Sequence, residues 1–421
     1  MTSVYLDQFA ALRGQLPGGL DALRQAAIER FAASGFPSQK TERWRYTALS
    51  PIARAGFKPA EPEAAAVEMP LPEAPRAVFV NGFFRADLSK LSGLGDGVSV
   101  TSLATAWAAA DAPLRKAIAG EDGPAALNGA LMRDGALIRL ADGAVQERPL
   151  HLVYLGAKAD VAQHLRNVII TGADSRLVLA ESYFGPDETA YWTNAVSNIT
   201  LGKRAVVRHV KHQADGRAAF HIALAEVRLA AGARYDNFAL ALGGATARNE
   251  IKVVFDGEGG DCRLNGVYLA AGAQRLDATT VIDHASAKCS SRQLYKGVLG
   301  GAAQAAFQGG VIVRPDAQET DAIQANHNLL LSRDAEVASK PELEIHADNV
   351  KCAHGSTVGE LDETMLFYLQ ARGLEKNVAR GLLIEGFVAE VFEEIADEGL
   401  RDSLKAAALA RLPHAPRGEQ S

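Results

Sequence analysis

For some 220 residues, from about residue 137 to 359, this 421-residue chain offers no long helix. Short runs of Val, Ile and Leu follow one another there, separated by Gly, Asp and Ala turns. Examples are Asn167 to Thr171, Leu177 to Leu179, Val196 to Leu201, Ala205 to Val210, Val227 to Leu229, Lys252 to Phe255 and Gly309 to Val313. Such runs, bounded by turn residues, are strand signals. Gly172, Gly202 and Gly232 recur at intervals of 30 residues, each between two apolar runs. A period of roughly 20–50 residues marks stacked repeats, in which each unit buries its apolar face against the next. With no helices between the strands, the repeat predicts a β-solenoid; the alternative is a β-sandwich with coincidental glycine spacing.

Helical patterns flank this region. Leu20, Leu23, Ala27 and Phe31 recur at helical spacing over residues 18 to 34, with Gly35 as a stop. Five prolines, glutamates and small residues over 58 to 75 suit a linker, and a further helix is expected near Leu103 to Ala119. Beyond Gly359 three helices are expected. The first, at about 362–372, has Asp362 and Glu363 at its start and Gly373 at its end. The second, at about 375–396, carries Leu382, Leu383, Phe387, Val391, Phe392 and Ile395 on one face. The third runs from about Asp402 to Leu412, before a frayed tail with Pro413 and Pro416. The organisation read from this is an N-terminal helical region with a Pro-rich linker (1–75), a mixed connecting segment (76–136), a β-helix core (137–359) and a C-terminal helical domain (360–421). The C-terminal helices either cap the solenoid end or dock a partner.

The net charge of −6 argues against a dedicated nucleic-acid binder. Three cysteines without a CxxC exclude a disulfide framework and a complete zinc finger. The N-terminus lacks a basic start followed by an apolar block, and no run of 18 apolar residues occurs. A cytoplasmic protein with no membrane span is expected. Gly35 to Thr41 is a near miss for a phosphate loop, lacking the glycine before Lys40 and carrying Pro37. Polysaccharide lyases and hydrolases share the solenoid form, but Asp256, Glu258, Asp261, Asp277 and Asp283 show no stacked pair in their spacing.

The sharpest candidate site lies in Lys340 to Phe367. Leu343, Ile345 and Ala347 alternate with Glu344, His346 and Asp348, and side chains two apart on a strand face the same way. If the strand continues, Cys352 and His354 project from one face. Thiolate and imidazole suit iron, zinc and copper, but two ligands leave a site incomplete without donors from elsewhere. The other reading is a buried free cysteine beside a hydrogen-bonded histidine. His346 reads as solvent-facing, His327 as a hydrogen-bonding partner across coils, and Cys262 and Cys289, 27 residues apart, as two buried small residues rather than a pair stacked on adjacent coils. His209, His212 and His221 with Arg208, Lys211 and Arg217 read by default as a solvated basic face. Trp44 and Tyr46 among Arg43 and Arg45 allow base stacking, against packing or partner contact.

Several of these segments together resemble the SufB/SufD family of iron–sulfur cluster assembly proteins. They are Lys340-Pro341, Leu343-Glu344-Ile345, Val350-Lys351-Cys352, His354-Gly355, Thr357-Val358-Gly359, Phe367-Tyr368-Leu369 and Arg372-Gly373. Asn326 to Ser332, Phe36-Pro37 with Lys40, Glu42, Trp44, Tyr46 and Thr47, and Val78 to Gly82 also fit. The Cys-x-His-Gly form and the length favour the SufD branch; the SufB branch is the alternative. The resemblance implies a right-handed parallel β-helix flanked by helical domains, in a non-catalytic scaffold. Its implied partners are a SufB-like paralogue and a SufC-like ATPase docked on the C-terminal helices, with a homodimer when the paralogue is missing. It implies that His354, with Cys352 at the matching cysteine position, contributes to an iron or nascent cluster site at the SufB interface. No cofactor is expected to be held stably by the isolated chain.

Overall fold

The computed structural model describes residues 2–62, 73, 75–107, 114–115 and 122–412. The N-terminal part holds helices α1 (Ser3–Leu12), α2 (Asp21–Ser34), α3 (Ser50–Ala55), α4 (Leu103–Ala106) and α5 (Gly123–Leu131). Among them run strands β1 (Lys58–Pro59), β2 (Arg76–Val80), β3 (Phe83–Phe84) and β4 (Val98–Ser102). Then come β5 (Ala136–Leu140), β6 (Val145–Leu155), β7 (Val161–Thr171), β8 (Arg176–Phe184), β9 (Trp192–Leu201), β10 (Val206–Ala214), β11 (Phe220–Leu229) and β12 (Arg234–Ala241). They continue with β13 (Thr246–Phe255), β14 (Asp261–Ala270), β15 (Arg275–His284), β16 (Ser290–Leu299), β17 (Gln304–Val313), β18 (Asp321–Leu330), β19 (Glu336–Ile345) and β20 (Lys351–Glu360). Helices α6 (Glu363–Ala371), α7 (Lys376–Phe392) and α8 (Glu398–Arg411) close the chain. The linker expected over 58–75, much of the helix expected to Ala119 and the tail beyond Leu412 lie largely outside the described residues.

From β5 onward, odd strands build one sheet and even strands the other, each pairing in parallel with the strand two places on. Every second residue faces the lumen between the sheets, and the same column repeats from coil to coil. The fold is thus a β-solenoid. Its lumen packs Leu179, Val207, Tyr235, Leu264 and Tyr295 from one sheet against Ile199, Val227, Val253, Ile282 and Phe307 from the other. The glycine period is a corner device. A Cβ on Gly202 would lie 2.5 Å from the backbone of Gly172, so stacked corners leave no room for a side chain.

The two ends differ. At the start, β2 and β3 form a hairpin through Asn81 and Gly82, both with positive φ, and β4 pairs antiparallel to β5. An Asn-Gly pair is a preferred two-residue hairpin turn. At the other end both sheets stop at β19 and β20, and no strand among the described residues pairs with their outer edges. The C-terminal helices do not cap this end. They lie along the outside of the even-strand sheet, where Ile384, Val388, Val391, Phe392 and Ile395 pack on Phe238, Leu240, Val267, Leu269 and Val298. The expected apolar face of α7 is corrected accordingly: Leu382 is exposed and Ile384 takes the inner position.

Candidate functional site

The segment expected as one strand through His354 is two. β19 ends at Ile345 in one sheet, and a corner through Ala347 delivers β20 to the other. Cys352 and His354 nonetheless face the same way. Cys352 is in register with Ala322 and His354 with Gln324 on β18, both buried lumen residues. Both candidates therefore stand in the lumen column of the last coil. Among the described residues no coil follows, so His354 is exposed, while Cys352 is half-buried against a small apolar cluster that includes Val311, Val313, Ala322 and Ala347. Burial pushes the Cys352 thiol above its ordinary range, and Asp321 adds to this. A neutral thiol is a poor nucleophile and becomes a ligand only when a cation favours its thiolate. Among the described residues, no group of three or more His, Cys, Asp or Glu side chains could hold a metal ion. The pair is an incomplete donor set.

The rim of this open coil is apolar and charged by turns. Val358 is 52% exposed and Ile345 42%, although both are in lumen register. Edge strand β19 carries Pro341, which donates no backbone hydrogen bond, among Glu336, Lys340, Glu342 and Glu344. Prolines and charges of this kind discourage indiscriminate strand addition at an edge.

The other sequence candidates fall into place around it. His327 Nδ1 lies 2.8 Å from Thr357 Oγ1 on the next coil, the cross-coil bond expected of it. His346 is exposed and lies 2.8 Å from Glu344 Oε1. Cys262 and Cys289 are both buried and free; Cys262 is in register with Ser291, so they do not stack. The basic cluster departs from its default reading. His209, Lys211 and His221 are lumen residues, buried against carboxylates. His209 Nε2 is 3.6 Å from Glu181 Oε1 and His221 Nδ1 is 3.0 Å from Asp215 Oδ2. The acids considered for lyase chemistry are engaged between coils: Asp256 with Arg228, Asp283 with Arg314, and Asp277 with Arg248.

The segment Phe36 to Thr47, which composition leaves ambiguous, crosses the outside of the odd-strand sheet as a clamp. Phe36 packs on Tyr5 and Trp192, and the Trp44 ring lies 4.3 Å over the buried guanidinium of Arg248. Thr47 donates to Asp277, Gln308 donates to the Arg43 carbonyl, and Glu42 pairs with Lys340 at 2.6 Å. Two segments about 300 residues apart in sequence thus meet beside the last coil. A cavity of about 410 Å³ opens under the clamp between Trp44, Arg248 and Lys252. Lys252 lies 3.7 Å from Glu226 and 3.8 Å from Glu250, so acids and bases share this groove in balance.

A two-sheeted solenoid with an open terminal coil, a Cys-x-His pair in its lumen column and a helical layer on one flank defines a class that sequence comparison identifies. Residues 154–387 match the SUF system FeS cluster assembly, SufBD core domain, and residues 1–152 match the SufBD protein N-terminal region. The chain belongs to the SufB/SufD family and has its place in iron–sulfur cluster assembly. Its likeness extends to individual members. It is 29% identical over 405 residues to iron–sulfur cluster assembly protein SufD of Escherichia coli, covering 93% of each chain. It is 32% identical over 412 residues to a SufBD family protein of Synechocystis, covering 92% of this chain and 90% of that one.

Proposed function

We propose that the chain is the SufD-type scaffold subunit of a SufBCD complex and is not itself an enzyme. Its open solenoid end pairs with the corresponding end of a SufB-like paralogue, and its C-terminal helices receive a SufC-like ATPase. The observation that carries the reading is the placement of His354: a solvent-facing imidazole in the lumen column of a terminal coil whose sheet edges are unpaired. A second solenoid on this end would complete both edges, cover Val358 and Ile345, and bring its own donors to His354 and Cys352. Iron or a nascent cluster is then the cargo of the interface. The exposed apolar side chains Met365, Phe367 and Tyr368 on α6 support a docking role for the helical layer. The cytoplasm, where thiols stay reduced, suits three free cysteines.

The test is co-expression with the SufB-like and SufC-like proteins of the same genome, with the purified complex weighed by native mass spectrometry. One copy of this chain, one paralogue and two ATPases are expected, and His354→Ala is expected to leave that assembly intact while lowering cluster yield. A homodimer that ignores both partners rejects the scaffold reading; wild-type yield from H354A rejects the ligand role.

A further inference from the structure

Directly beneath His354, in register on β18, stands Gln324. Adjacent strands lie about 4.8 Å apart, so side chains in one column stack within reach of one another. Gln324 is only 1% exposed, yet neither its Oε1 nor its Nε2 has a hydrogen-bond partner. The neighbouring lumen amides on the same strand are different. Asn326 donates to Tyr268 and to the Tyr295 carbonyl, and its Oδ1 accepts from Asn328 and Ser339. One coil further in, Gln293 Oε1 accepts from Thr280, so only its Nε2 lacks a partner. Across the lumen Gly309 makes room for the Gln324 amide: a Cβ there would fall 2.1 Å from Nε2.

A buried amide with both ends unpaired carries the full desolvation penalty of each unsatisfied group. Retaining one is explicable where a partner is supplied on demand, and the in-register side chain above it is an imidazole. The ring nitrogens of a histidine are not equivalent. The hydrogen bond made by one sets whether the other is a lone-pair donor to a metal, and such outer partners orient the ring.

We propose that Gln324 is a positioning residue for His354. Its amide, unpartnered in this structure, takes one ring nitrogen of His354 from inside the lumen when the coil end is closed and so presents the other outward. The inference rests on the ligand reading of His354 and adds to it a second, buried residue. The Cys352 thiol flanks the same column, two residues away, but packs into the apolar cluster instead.

The experiment uses the co-expressed complex with ring-labelled histidine. The His354 ring ¹⁵N signals are assigned by their loss in His354→Ala, and the tautomer ratio is read from their shifts. Gln324→Met keeps the volume and removes both polar groups. Gln324→Glu keeps an acceptor and acts as the conservative rescue. The expected result is a changed tautomer ratio in Q324M, restored toward one ring tautomer in Q324E. Cluster yield in the co-expressed complex should fall severalfold in Q324M, with assembly unchanged. Reduced yield from H354A together with unaltered ring signals in Q324M overturns the positioning role alone. Wild-type yield from H354A removes the ligand role, and the positioning role with it.

Discussion

At the residue scale, the lumen is where charge is concealed. Glu181 accepts from Tyr183 and Ser197; burial pushes its carboxyl up, but His209, Lys211 and Tyr183 together outweigh burial and hold it down at about 2. Burial brings Lys211 down to about 8, with Glu181 and Asp215 opposing the change. Three histidines are kept neutral chiefly by burial: His164 falls to about 3, His212 to about 4 and His284 to about 4. The ring of His164 takes a hydrogen bond from Asn194 at 3.0 Å. In the unfolded chain such histidines take up protons near pH 6.5. The folded chain refuses those protons until about pH 4, so the unfolded state binds more of them in between and stability falls as pH drops. At pH 5 this loss amounts to at most roughly 2 kcal/mol per histidine. Glu181 extends it, because its depressed value gives stability that is lost from about pH 4.5 toward 2. Urea midpoints at pH 8, 6.5 and 5 should decline steadily below 6.5; equal midpoints at 8 and 5 would contradict the buried-neutral assignment. The basic cluster shows why this interior is hard to read from sequence. His209 and Lys211 go inside while Arg208 goes outside, and with polar residues on both parities the period of two cannot say which face is the lumen.

At the scale of elements, apolar spacing marked α2, α6, α7 and α8 to within a few residues, and Asp362 caps α6 by accepting from the amides of Thr364 and Met365. What spacing could not give is the surface they pack on. The outer side of the even-strand sheet is apolar at Phe238, Leu240 and Val267, a second hydrophobic face on strands already buried on the first. That doubles the burial pattern of β12 and β14 and blurs their alternation. Phe392 lies 5.2 Å from Phe238, ring to ring, and is wholly buried. Phe392→Ala should therefore destabilise the helical layer by about 3–5 kcal/mol. Hydrogen exchange should show the amides of α7 and α8 opening while those of β12 to β16 stay protected. Equal loosening in helices and strands would mean that the layer and solenoid unfold as one unit. The clamp is the complementary case: its residues were conspicuous in the sequence, but its contacts with Arg248, Asp277 and Lys340 are set by coils that spacing does not place in space.

At the scale of the whole molecule, the decisive asymmetry is between a finished end and an unfinished one. The hairpin at Asn81-Gly82 and antiparallel β4 finish the first coils; among the described residues the last coil leaves two parallel edges, with Val358 and Ile345 exposed among charged side chains. A solenoid coil gains its stability from its neighbours on both sides, so an exposed terminal coil without a polar cap is suited to association. Val358 provides the test. It is 52% exposed and sits in the lumen column, so a charge there is solvated in the free chain. Val358→Lys should shift the stability of the isolated chain by no more than about 0.5 kcal/mol, the usual limit for a surface change. In an end-to-end assembly the same lysine would enter a closed lumen above Asn328, where an unpaired charge is strongly disfavoured. Association with the paralogue, and any homodimer formed without it, should weaken by at least tenfold in analytical ultracentrifugation, while the melting temperature of the monomer is unchanged. Undiminished association of V358K would place the interface elsewhere, and the flank carrying Met365, Phe367 and Tyr368 would then be the surface to mutate next.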